Sequence, residues 1–425
     1  MKILISNVYS TKNKGDYAII LSMIEHIKKE FPTAEIYISS IDVNDKGAYN
    51  EKEFFPNFLS IIKEIYYKDN SLINIIKYGV NINILLLKLN LFKFFAKKGI
   101  YVYKLFPALL RKKIRMYEKF DLVIAAGGGY IITKTKKRKI EKFLGIDEIK
   151  LFCYDFFLAN FFEKPYILYN QSIGPFYDQK DFLNIKSILE KAKIISCREK
   201  ITYNFLKQHG LSNIILTSDI AFNLPTKMNK SLLQKYDINS NKKNIGITIR
   251  KCLETEKQII FEEEIKKFII NLLKDNEEYK FYFMPQVIYD EWNDNDIHIA
   301  IKIKNSLPKK IQERVIIINE DLHPGELKFL YSNMTYFIGN RFHSCIFALS
   351  EKVKTLAIAY EPKTEGIMED LNLNKYVLYA ENLTFDKLYE SFNLLKNDDE
   401  YKKILSNKLE IIKNKSMFKF SEYLY

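Results

Sequence analysis

The 425-residue chain predicts an α/β fold of two doubly wound, Rossmann-like domains facing a cleft. Three observations carry this expectation. Short apolar runs without polar alternation recur along the chain, as parallel strands buried on both faces require. Amphipathic stretches such as Tyr17–Phe31, Asp181–Lys191 and Glu262–Leu273 separate them, which gives the βαβ rhythm. The rhythm pauses over the polar stretch Lys227–Lys243 and restarts at Asn244. The expected division is a first domain at 1–225, a hinge near 224–243 and a second domain at 240–425.

The candidate strands of the first half are Ile3–Asn7, Glu35–Ser40, Asp121–Ala126, Pro165–Gln171, Ile194–Cys197 and Ile214–Thr217. Those of the second half are Asn244–Arg250, Lys280–Pro285, Val315–Asn319, Thr335–Gly339 and Lys354–Ala359. In open α/β sheets ligands bind beyond the carboxyl ends of the strands, so the loops there are where chemistry is sought. Two facing domains would also leave a cleft, a usual place for small-molecule sites.

A hydrophobic content of 47% supports full cores and excludes a disordered chain. The net charge of +14 is local. Lys77 to Lys142 holds 17 basic residues and three acids, which leaves 49 of each sign elsewhere (66 − 17 and 52 − 3). The same stretch carries the apolar run Ile82–Phe92, then Phe94–Ala96, Ile100–Tyr103 and Leu105–Leu110. Lys88, Lys93, Lys97, Lys98 and Lys104 interrupt it, short of an uninterrupted membrane span of ~20 residues. Two readings stand: docking on an acidic membrane surface through residues 77–142, or amphipathic helices covering the sheet. No nucleic-acid module accompanies the charge. Cys153, Cys197, Cys252 and Cys345 are scattered, without CxxC pairing or metal-ligand spacing among the histidines, so reduced thiols and no metal are expected. The chain opens in a strand rather than a signal peptide, which makes the cytoplasm the expected compartment.

The sharpest loop follows Tyr336-Phe337-Ile338: Gly339-Asn340-Arg341-Phe342-His343-Ser344, opening a helix. Arg341 offers a planar fork for a carboxylate or phosphate. His343 suits proton transfer near neutral pH. Together they suggest an enzyme acting on a small anionic substrate. After the first strand, Asn13-Lys14-Gly15-Asp16 opens another helix. Its backbone could hold an anion and Asp16 could take a proton from an alcohol, or Asp16 simply caps the helix. Gly127-Gly128-Gly129 allows close backbone approach by a ligand, or makes a tight turn; it is no dinucleotide fingerprint. Gln171 and Gly174, in Asn170-Gln171-Ser172-Ile173-Gly174-Pro175, lie in a loop able to bond a sugar hydroxyl or to satisfy its own backbone. Arg198, Arg250 and Arg341 each end an expected strand, so convergence of several on one anion is expected. Asp219 could orient one of these arginines or cap a turn. Lys363 could neutralise a phosphate or face solvent. The other histidines, His26, His209, His298 and His323, have no chemically suggestive neighbour in sequence.

Taken in order, the segments Asn13–Ala18, Asp121–Tyr130, Asn170–Pro175, Ser196–Glu199, Ser218–Phe222, Gly246–Arg250, Gly339–Ser344 and Tyr360–Gly366 resemble the polysaccharide pyruvyl transferase family. The resemblance spans about residues 1–375, with Gly-x-Arg-x-His-Ser its most specific part. It implies a fold similar to two-domain GT-B glycosyltransferases, the first domain on the acceptor side and the second on the donor side. It implies transfer of pyruvyl from phosphoenolpyruvate to sugar hydroxyls of a cell-surface polysaccharide or its lipid-linked precursor, as a ketal with release of phosphate. In that frame Arg341 and His343 match the donor-binding and catalytic motif and Arg198 another donor contact. Asn340 and Ser344 come with the motif, and no cofactor beyond the donor is expected. Thr335, where the family commonly has an acid, and the long apolar basic block at 77–118 depart from the pattern. Two rivals remain: a nucleotide-sugar glycosyltransferase, for which no ribose-binding acid is evident near Arg341, and a non-catalytic scaffold docked on membrane through the basic block.

Overall fold

The computed structural model describes all residues except 68, 70, 97, 134–143, 145–146, 240, 275, 291–293 and 425. The part of the basic stretch at 134–143 therefore lies outside the described residues. The chain divides into two compact units, one of residues 1–10, 23–217 and 418–425, the other of 11–22 and 218–417.

The first unit is built on β1 (Lys2–Val8), β2 (Glu35–Ser40), β3 (Glu53–Pro56), β4 (Leu122–Ala125), β5 (Gly128–Thr133), β6 (Tyr166–Phe176), β7 (Ile194–Cys197) and β8 (Ile214–Leu216). They pair in the order β3-β2-β1-β4-β6-β7-β8, with β5 beside β6, and every pairing is parallel. The side chains of β1, β2, β4, β7 and most of β6 are buried almost throughout, as expected for strands covered on both faces. Two expected loops prove to be strand. Asn170–Pro175 lies inside the eleven-residue β6, and Gly128-Gly129 begin β5, which pairs with the far half of β6.

The α-helices preceding β4 are α1 (Lys14–Glu30), α2 (Phe58–Tyr66), α3 (Leu72–Ala96) and α4 (Ala108–Met116). The lysines within the apolar run do not break α3, because lysine is a good helix former and its stem can lie along apolar surface. Among the described residues it is the one helix long and apolar enough to cross a membrane, by length and composition. One of its faces (Ile75, Tyr78, Ile82, Leu85, Leu89, Phe92) is buried in the core of the first unit. The end of the chain joins this unit too. Phe418 and Phe420 stack near Tyr169, and His26 Nδ1 lies 2.7 Å from the Tyr169 hydroxyl. Burial, helped by Lys29, holds the His26 imidazole down to about 4.

The second unit contains β9 (Lys243–Thr248), β10 (Tyr279–Phe283), a two-residue hairpin of β11 (Ile288–Tyr289) and β12 (Asp294–Asn295), β13 (Val315–Ile317), β14 (Tyr336–Gly339), β15 (Lys354–Ala359) and β16 (Val377–Tyr379). Its main sheet is parallel, in the order β13-β10-β9-β14-β15-β16. The order reverses between β9 and β14, where Thr248 pairs with Gly339. The expected hinge at 224–243 belongs to this unit, and the chain passes between units at 217–218 instead. Side-chain bonds explain why: Asn223 Nδ2 donates to the Lys413 carbonyl (3.1 Å), and Lys328 Nζ to the Leu224 carbonyl (2.6 Å). The α/β class with two doubly wound, Rossmann-like domains, read from the sequence, is borne out.

Candidate active site

The reversal between β9 and β14 is the topological switch point of the second sheet, the place where such sheets bind ligands. Arg250 follows β9, and Asn340 and Arg341 follow β14. The next helix, Phe342–Ser350, is apolar on nearly all sides and accordingly buried, so its first turn is fixed in place. Ser344 Oγ lies 2.7 Å from Thr248 Oγ1 and donates to the Arg341 carbonyl at 2.6 Å. Asn340 Oδ1 accepts from the Arg250 amide (3.1 Å) and its Nδ2 donates to the Ile358 carbonyl (3.0 Å). Both side chains are buried and bonded inside the protein. The expectation that they bind substrate gives way to a role in stitching three strand ends together.

His343 is the motif residue with an unused polar atom. Its Nε2 is buried, has no hydrogen-bond partner, and lies 3.7 Å from Asp219 Oδ2. Asp219 is itself buried, and its Oδ1 accepts from the Ala221 amide at 2.9 Å, so the carboxylate is held facing the ring. Asp219 thus caps a turn, as one sequence reading had it, and its other oxygen faces the histidine. On the other side the ring lies against Gly15. A Cβ at residue 15 would stand 2.0 Å from His343 Nδ1, so no other side chain fits. Asn13 caps α1 through its Oδ1, which accepts from the amides of Gly15 (3.1 Å) and Asp16 (3.4 Å). Its Nδ2 donates to Asp16 Oδ2 at 2.6 Å. Gly15→Ala should therefore displace the imidazole and cost about 10²-fold in turnover; wild-type kcat in that variant would show that the ring position is immaterial.

Arg341 is not the open fork that the sequence suggested. Its Nε donates to Asp296 Oδ1 and Oδ2 (3.0 and 3.2 Å), its Nη2 to Asp296 Oδ1 (2.5 Å), and both Nη atoms reach Asp294. Burial would lower the pKa of the guanidinium, but Asp296 and Asp294 overcome that and raise it. Asp296 Oδ2 also accepts from the amides of Gln286 (3.0 Å) and Val287 (3.2 Å). The Gln286 carbonyl in turn receives the Lys14 amide at 2.8 Å. Arg341 therefore braces, through Asp296, the loop that carries Gly15. Acids do stand beside Arg341, contrary to the sequence reading, and they are paired with it.

Arg250 approaches the same group: its Nη2 is 3.5 Å from Asp294 Oδ2, its Nη1 donates to Tyr360 Oη (2.6 Å), and its buried Nε has no partner. Two arginines of this unit, Arg250 and Arg341, converge on an anion, and that anion is Asp294. Lys363 is paired with Glu361 at 2.7 Å rather than facing solvent alone.

In the first unit, Arg198 Nε donates to Ser172 Oγ (2.8 Å) and lies 3.4 Å from Glu199 Oε2. A Cβ on Gly129 would come within 3.7 Å of Arg198 Nη2, so β5, β6 and β7 bring Gly129, Ser172 and Arg198 together. Gly128 has φ +151°, a conformation side-chain-bearing residues rarely adopt, and Gly174 is likewise left-handed at +82°. Gln171 is completely buried; its Nε2 bonds the Ala126 and Tyr169 carbonyls and so secures the backbone, while its Oε1 has no hydrogen-bond partner.

Comparison with known proteins decides the family. A model of the polysaccharide pyruvyl transferases matches residues 13–362. The chain belongs to the polysaccharide pyruvyl transferase family. It is 21% identical over 421 residues to the amylovoran biosynthesis protein AmsJ of Erwinia amylovora, covering 96% of each chain. Among solved structures it is similar to UDP-GlcNAc 2-epimerase from Neisseria meningitidis bound to UDP-GlcNAc (TM-score 0.57, 14% identity, 98% and 97% of the chains). It is also similar to a glycosyltransferase from Rickettsia africae (TM-score 0.52, 15% identity, 100% and 95%). Those likenesses concern the fold, which is of the GT-B type with two Rossmann-like units. As a pyruvyl transferase relative in polysaccharide biosynthesis, the protein is a transferase acting on polysaccharide. Within this family member the pairs that sequence reading missed are Asp219 with His343 and Asp294-x-Asp296 with Arg341. The only local signal was two acids flanking Asn295, which caps the helix Asp296–Asn305.

Proposed function

We propose that the protein transfers the pyruvyl group of phosphoenolpyruvate to two hydroxyls of one sugar in a surface polysaccharide or its lipid-linked precursor, forming a ketal and phosphate. The observation that carries this reading is His343 held between the Asp219 carboxylate and Gly15, with an unbonded Nε2, at a switch point that also bears Arg250. A buried, unsatisfied imidazole nitrogen beside a carboxylate suits proton transfer, and unsatisfied buried groups call for a functional explanation.

In the proposed reaction His343, as imidazolium, gives its proton to the methylene carbon of the donor, and the Asp219 carboxylate faces the charge it carries. The neighbouring carbon gains cationic character and a sugar hydroxyl adds to it. A second hydroxyl then displaces phosphate and closes the ketal. The methylene becomes a methyl, and the remaining hydroxyl proton leaves with phosphate. Asp16, held by Asn13, is proposed as the base that takes a hydroxyl proton. Arg250 supplies positive charge to the donor, whose carboxylate competes with Asp294 for it; their 3.5 Å separation is a loose contact that an anion can exchange. Arg198 and Lys363 are proposed as further contacts of the donor's anionic groups, and Gly128, Gly129 and Gly174 as places where substrate approaches the backbone. Fixed cations of this kind stabilise a departing phosphate without reorganising. The reaction is assigned to the cytoplasmic side of the membrane, where phosphoenolpyruvate is made.

The test is product release. With phosphoenolpyruvate and the host glycan, phosphate should appear only when both are present, and nucleotide sugars should yield no nucleotide. Acceptor-dependent nucleotide release instead would assign the protein to sugar transfer.

A further inference from the structure

Among the described residues, a stripe along the outer face of α3 is left exposed. Opposite its buried face, Ile73, Ile76, Val80, Ile84, Leu87, Leu91 and Phe94 are all exposed, from 38% to 66%. Steps of three and four residues set them in one stripe along the helix. Such a continuous apolar strip on a surface marks an interaction site. Its length is about 32 Å at the helical rise.

The charge around the stripe selects the occupant. From Leu72 to Tyr117 the sequence contains ten lysines and arginines and no acid. Lys77, Lys98, Lys104, Lys112 and Arg115 are exposed. At the end of α3, Phe92 packs 5.2 Å from Tyr103, and the Arg115 guanidinium lies 4.6 Å over the Tyr103 ring. Arg115 in turn lines a cavity of about 600 Å³ with Arg111, Lys112, Lys119 and Glu53. The cationic cavity therefore lies near the C-terminal end of α3, linked to it through the buried Phe92 and Tyr103. A second copy of the chain on this face would set cations against cations. An acidic lipid leaflet complements both features, the stripe entering the acyl boundary and the cations meeting headgroup phosphates. Because the inner face of α3 is committed to the core, a bilayer on its outer face would run along the helix.

We propose that the first unit docks on an anionic bilayer through the outer face of α3, with the α4 cavity receiving lipid headgroups. This is independent of the transfer reaction. The experiment is sedimentation of the full chain with vesicles of equal parts phosphatidylcholine and phosphatidylglycerol, and with phosphatidylcholine alone. The wild type should sediment with the anionic vesicles, lose most binding at high salt, and stay in solution with the neutral ones. Two variants separate the causes: Ile84→Ser with Leu87→Ser and Leu91→Ser, and Arg111→Glu with Lys112→Glu. Each should weaken vesicle binding at least ~10-fold, with wild-type circular dichroism and unfolding. Unchanged binding by the folded stripe variant, equal binding to neutral vesicles, or no binding by the wild type would each overturn the proposal. So would a wild-type dimer on gel filtration that the stripe variant dissociates, since the face would then be covered by a second copy.

Discussion

Replacing His343 with alanine should lower kcat about 10²–10⁴-fold, the usual contribution of a positioned acid or base, while leaving much of the affinity for phosphoenolpyruvate. The variant should fold, because the Nε2 of the ring has no hydrogen bond to lose and the strand ends around it are tied by Asn340, Ser344 and Thr248. Asp219→Asn tests the partner. It keeps an oxygen able to accept from the Ala221 amide, yet removes the charge that faces the imidazole 3.7 Å away. Its kcat should fall with KM for the donor nearly unchanged, and the pH profile of kcat should shift; a merely structural Asp219 would leave that profile alone. Near-normal turnover by His343→Ala would remove the histidine from proton transfer.

Arg341→Ala should be the most destabilising substitution in the site. Asp296 is buried and Asp294 partly so, and both face the guanidinium. Truncating one partner of a buried ion pair typically costs ~3–5 kcal/mol, because the remaining charge is left without compensation. Arg341→Lys should recover only part of the loss, since an ammonium cannot bridge two carboxylates with a planar fork. Urea unfolding measures this directly. Turnover should fall as well, because the Asp296 brace ends at the loop that seats Gly15 against His343. An Arg341→Ala protein as stable as the wild type would mean that the two acids are held apart by something else.

Much of the fold was readable because parallel strands covered on both faces leave continuous apolar runs. Glu35–Ser40, Ile194–Cys197 and Lys354–Ala359 were expected as strands with the bounds they have. The β3 strand was missed, since its four residues include three only half buried and a proline. The return of residues 418–425 to the first unit was also missed, because packing of Phe418 and Phe420 on Tyr169 has no periodic signature. Loop chemistry was legible at Gly339–Ser344, where residue type alone singled out Arg341 and His343. What each does there was not. Their partners Asp294, Asp296 and Asp219 lie 47, 45 and 124 residues away, and pairing over such distances depends on topology rather than local pattern.

The most direct measurement of the proposed chemistry is the isotope content of the product methyl group. With phosphoenolpyruvate and glycan in deuterium oxide, the expected product is a pyruvate ketal whose methyl carries one deuterium, formed with one phosphate per ketal. The His343→Ala protein should make it far more slowly. A product that retains the vinylic methylene, or a glycan that gains a sugar and no pyruvate, would contradict protonation by His343 as the step that starts the transfer.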